Sequence, residues 1–117
     1  MKGDVEQFRD LTFMGVVTTP DMIQKRPETV KKLVAVFAEA QRILLDPARG
    51  KKIMAAEFPQ MEPATNERSY ETLTQIWSKD GRMTLEGGKK VYDFLQPPGD
   101  KKIEFEKTFT NDFLPAK

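Results

Sequence analysis

"LTFMGVVTTPDMIQKRPE", residues 11–28, is the stretch whose reading decides the fold. Residues 11–18 form an apolar run that is β-branched at Val16 and Val17 and stops at a turn signal, which predicts a strand. Thr19-Pro20-Asp21 then reads as a helix start. Thr19 is the N-cap, Pro20 takes the first helical position, and Asp21 sits at the positive end of the helix dipole. The short helix over 20–25 halts before Pro27. A strand needs a partner for its backbone groups, so this segment sets the expected fold class: mostly α with a short N-terminal strand.

Downstream, Pro27 opens the strongest helix of the chain, over 27–45. Val30, Leu33, Val34, Phe37 and Leu44 recur at helical spacing, and Val36, Ala38 and Ile43 widen the apolar stripe. Such a helix is expected to be buried on more than one side. Asp46-Pro47 repeats the cap-then-proline device and starts a helix over 47–57, weakened by Gly50 at a cost of up to about 1 kcal/mol relative to alanine. "FPQMEPATN" reads as a loop, broken by Pro59 and Pro63. A helix over 66–78 carries Tyr70, Leu73 and Trp77 on one face, and Asp80-Gly81 ends it. Thr84 caps a helix over 84–95, stopped by Pro97-Pro98-Gly99. The remainder, 96–117, reads as an extended arm with a short helical turn near Phe113 and Leu114, and 1–10 as a lead-in. The 117 residues make one domain.

Composition excludes several classes of function. Hydrophobic residues make up 38% and charged residues 32%, as in a folded, helix-rich domain with a well-solvated surface. A net charge of +1 provides no field to hold a polyanion, so nucleic acid is not an expected partner. The chain has no cysteine and no histidine, which removes thiolate and imidazole metal sites and the Cys–His and Ser–His–Asp nucleophiles. Neither an enzyme nor a cofactor is expected. Asp4, Glu6 and Arg9 stand where a signal peptide would need an apolar run, and no segment is long enough to cross a bilayer. Expressed as given, the chain is expected to be cytoplasmic and not inserted in a membrane.

"KDGRMTLEGGKKVYDFL", residues 79–95, has the look of a phosphate loop. Such a loop needs Gly-x4-Gly-Lys-Ser/Thr after a strand, whereas here Lys90 follows Gly88-Lys89, and the preceding element is a helix. It reads as a turn between helices. The basic pairs Lys31-Lys32, Lys51-Lys52, Lys89-Lys90 and Lys101-Lys102 are diluted by acids and read as solvated helix faces. Glu57 with Glu62, and Glu104 with Glu106, have nothing near them in sequence to tune an acid–base pair.

The order of these elements resembles the solute-binding proteins of bacterial ABC importers, nearest to the nitrate, sulfonate and thiamine-precursor type. The resemblance rests on "FMGVVTTPDMI" followed by "KRPETVKKLVAVFAEAQRILLDPARGKKIMAAEFP", then "IWSKDGRMTLEGGKKVYDFL" and the closing "TFTNDFLPA". It covers roughly residues 11–115 and implies the C-terminal part of a type II periplasmic-binding-protein α/β lobe. It further implies a non-catalytic role in the periplasm, with a small organic solute and an ABC permease as partners of the full-length parent. In that family the cleft is lined by strand ends, which here implies Met14, Gly15, Thr18 and Thr19. The parallel strands of such a lobe are missing. The chain is therefore expected to be either a piece cut from a longer protein or a truncated or split gene product. Its unpartnered apolar helix faces would then bury against each other or another chain, with a homo-oligomer expected. An alternative is a small self-associating helical interaction module with no ligand.

Overall fold

The computed structural model describes residues 14–95 and 104–115. Five α-helices follow in order: α1 (Pro20–Lys25), α2 (Pro27–Leu45), α3 (Pro47–Glu57), α4 (Pro63–Ile76) and α5 (Leu85–Leu95). A 3-10 turn, Phe105–Lys107, lies in the C-terminal arm.

Proline begins each of the first four helices, where its missing N–H has no intrahelical partner to lose. Two of these starts also carry a side-chain cap. Thr19 Oγ1 accepts from the Met22 N–H at 3.2 Å, and Asp46 Oδ1 accepts from the Arg49 N–H at 2.9 Å. α5 is started by Thr84 instead, whose hydroxyl accepts from the Gly87 N–H at 3.0 Å. The expected bounds of α1, α2 and α3 are the observed ones. α4 begins at Pro63, ahead of the start expected at Asn66, because Pro63 opens a helix where the sequence reading took it as a break.

The expected N-terminal strand is not formed. Residues 14–18 have no regular structure, 11–13 lie outside the described residues, and no strand occurs among the described residues. The physical reason is the absence of a neighbour. A strand's N–H and C=O groups need a second strand, and none is offered to this one. Met14 and Val17 instead stand 81% and 92% exposed. The described chain is therefore all-helical, and the expected α/β lobe is corrected to a helical assembly without a sheet. The lead-in at 1–10 lies outside the described residues.

The core is small and keyed by polar groups. Among the described residues Val30, Met54 and Tyr70 are its buried apolar side chains, and Asn66 is buried with them. Tyr70 is 3% exposed and its hydroxyl donates to the Leu44 carbonyl at 2.8 Å. The Asn66 side-chain amide donates to the Met54 carbonyl at 3.0 Å, so neither polar group is buried without a partner. Gly50 lies beneath the Tyr70 ring. A methyl group built there would approach the Leu44 carbonyl oxygen to 2.2 Å and the ring to 2.5 Å. The glycine that weakens α3 as an isolated helix thus admits the ring that joins α3 to α4 and to the end of α2.

The turn ahead of α5 is built from local hydrogen bonds. The Ser78 hydroxyl accepts from the Gly81 N–H at 3.0 Å, and Asp80 Oδ1 accepts from the Arg82 N–H at 3.1 Å. Gly81 has φ 71°, which glycine adopts without strain. The Gln41 side chain donates to the Ser78 carbonyl and ties this turn to α2. The arm closes over the far side. Asn111 accepts from the Met83 N–H at 3.0 Å and donates to the Met83 carbonyl at 2.9 Å. Phe105 meets Tyr92 edge-on, with ring centroids 5.8 Å apart.

Candidate binding surface

Gly50 beneath Tyr70 and the Asn66–Met54 hydrogen bond hold α3 against α4, and beside this contact lies a groove of about 860 Å³ between the two helices. Ile53, Met54 and Phe58 line it from the α3 side, and Leu73 from α4. Met61 closes one end and Trp77 stands at the C-cap of α4. Its volume is that of a small-ligand site, and its two methionines give it adaptable walls.

Two charged side chains reach the groove, Glu57 from α3 and Arg68 from α4. They form no ion pair with each other among the described residues. Two of the hydroxyls that line the groove are engaged by the protein. Thr72 donates to the Arg68 carbonyl at 3.0 Å, and Ser69 faces the Met61 sulfur at 4.0 Å. No set of three or more His, Cys, Asp or Glu among the described residues is placed to hold a metal.

The shifted titrations lie on other faces. Lys51 donates to Glu67 at 2.5 Å, with Glu71 at 3.9 Å. That hydrogen bond holds the Glu67 carboxyl below its ordinary value and raises the Lys51 ammonium. Arg42 does the same to Glu39 on the surface of α2. Both are solvent-facing pairs on helix surfaces, and neither lines the groove.

The residues implied by resemblance lie elsewhere. Met14, Gly15, Thr18 and Thr19 form an exposed extended segment, and none of them lines the groove. Thr19 is occupied as the cap of α1. Gly15 faces Met83, whose terminal methyl would stand 3.5 Å from a methyl group placed on the glycine. Of the aromatic stripe read from sequence, Tyr70 is core and Trp77 borders the groove. The groove itself left no motif in the sequence. Its one signal was a helical glycine with an aromatic residue one helix away.

A second surface adjoins the first. On α2, Leu33, Val36 and Phe37 are exposed, the last two by 65% and 55%. Leu33, Phe37, Ala40 and Leu44 follow one another at helical spacing along a single face, and Leu44 lines the groove. The exposed ridge of α2 therefore runs into the groove without interruption.

No helix among the described residues is long and apolar enough to cross a membrane. No family model, curated protein or solved structure matches the chain.

Proposed function

We propose that this chain takes part in solute capture for an ABC importer. In this reading it is a non-catalytic component working in the periplasm, and the solute is a sulfonate, nitrate or a thiamine precursor passed to a permease. The observation that supports the reading is the placement of helix starts. Pro20, Pro27 and Pro47 open α1, α2 and α3 within the stretch that carries the resemblance, and the Asp80-Gly81 turn leads into the Thr84-started α5. Met14, Gly15, Thr18 and Thr19 are the residues proposed to face the solute. A chain without histidine or cysteine has few groups with which to do more than bind. Deleting the gene that carries this chain from its source organism tests the proposal. Uptake of labelled alkanesulfonate, nitrate or aminopyrimidine should fall for one of the three. Undiminished uptake of all three retires the reading.

A second reading, a self-associating helical module with no ligand, is favoured by the exposed Leu33, Val36 and Phe37 on α2. An apolar face of that kind in water is normally covered by another surface. Sedimentation at micromolar concentration distinguishes it, since a single monomeric species would exclude self-association.

A further inference from the structure

We infer that the α2 ridge of one copy seats in the α3–α4 groove of a second copy, and reciprocally, so that the chain forms a two-fold dimer. The inference rests on the self-association reading and assigns the surfaces that meet. It stands on the continuity between ridge and groove. Leu33, Val36, Phe37 and Ala40 form an apolar ridge on α2, and the same face continues through Leu44 into the groove wall. A surface that carries a ridge and a groove side by side is complementary to its own copy turned through a two-fold axis. Each ridge then fills the other molecule's groove, and the contact closes at two chains without extending into a filament.

The size of the joint surface agrees. Thirteen residues line the groove, and the four ridge residues adjoin it. That approaches the roughly 20 residues a side of a standard stable interface. The chemistry agrees as well, because the groove presents Ile53, Phe58, Met61 and Trp77 to an occupant and α2 supplies an aromatic anchor in Phe37. An α-helix laid by its apolar stripe into a groove between two others is a common mode of helix recognition. The hydroxyls of Ser69 and Thr72 already have partners within the molecule, so an apolar occupant strands neither of them, and Glu57, Thr65 and Arg68 are exposed residues whose polar ends stay at the solvent side of the contact.

The test uses sedimentation of the full chain with variants on both surfaces. Wild type should be a dimer. Val36→Glu, on an exposed ridge position, and Thr72→Glu, on an exposed groove position, should each weaken dimerisation by roughly 10-fold or more, because each desolvates a carboxylate in an apolar contact whose lining offers one cation, Arg68, to offset it. Helical circular dichroism should stay unchanged in both, which separates dissociation from unfolding. Because the chain has no cysteine, a flexible bis-maleimide should join Val36→Cys to Thr72→Cys in a mixture of the two variants, and should leave either variant alone unjoined. A monomeric wild type overturns both the inference and the reading beneath it. A dimer that survives Thr72→Glu, or a Val36→Cys variant that joins to itself, overturns the ridge-in-groove assignment and leaves self-association standing.

Discussion

At Gly50 and again at Gly88 a helix gives up a side chain so that an aromatic ring can settle onto its backbone, yet the two contacts are held by different means. At Gly50 the obstacle to any side chain includes the main chain itself, the Leu44 carbonyl oxygen, and the Tyr70 ring is fixed there by its hydroxyl. At Gly88 the obstacle is the Phe105 ring alone, at 2.5 Å from a built methyl carbon. Phe105 is half-buried in a three-residue 3-10 turn, meets the edge of Tyr92, and carries no hydroxyl with which to pin its ring as Tyr70 does. A ring that can slide accommodates what a fixed carbonyl cannot. Two glycines that look alike in the sequence should therefore respond differently to the same substitution.

The largest effect is expected from Gly50→Ala. Alanine returns up to about 1 kcal/mol of helix propensity. The methyl group meets backbone, however, and overpacking of this kind costs about 1–3 kcal/mol or more. A net loss of about 2 kcal/mol in urea unfolding is expected, and a stabilised variant would break the contrast. Tyr70→Phe should follow. It keeps the ring and removes the hydrogen bond to Leu44, which costs about 1–2 kcal/mol when the acceptor is left buried. Gly88→Ala should change stability by less than about 1 kcal/mol, because the propensity gain offsets the displacement of Phe105. A loss as large as that of Gly50→Ala would show that the Phe105 contact is as rigid as the Tyr70 one.

The smallest expected effect is a dependence on pH at the α3–α4 junction. Glu67 titrates below its ordinary value because Lys51 donates a hydrogen bond to it. A depressed carboxylate contributes stability that is present above its unfolded pKa and is lost as pH falls through its folded one. Stability should therefore decline slightly at the acid end, and Lys51→Met should remove that part of the slope. An unchanged slope would show that the pair contributes nothing to the junction, as many exposed pairs do not.

Much of the helical plan was legible because proline and capping residues act locally. Thr19-Pro20, Arg26-Pro27 and Asp46-Pro47 fix where helices begin whatever lies around them. Pro63 was misread because the same residue type both breaks and starts helices, and Pro59, four residues earlier, lies outside α4. The strand at 11–18 failed for the opposite reason. Extended backbone is a property of a pair, and an apolar run with Val16 and Val17 states a preference without supplying the partner. The groove was equally hidden, since it lies between α3 and α4, whose packing rests on pairs such as Gly50 and Tyr70, 20 residues apart. Gly50 read as a defect in one helix when its role lay between two.

The grip of Asn111 on both backbone groups of Met83 has a consequence for timing. Met83 owes the protection of its N–H to a side chain 28 residues further along the chain and to no helix. Its exchange with deuterated solvent therefore registers release of the arm, whereas the amides of α3 and α4 register opening of the Tyr70 junction. Two amide clocks in one small molecule would report separately on its two halves. The arm, held by the Asn111 hydrogen bonds and by the Phe105 ring resting on α5, should run the faster of them.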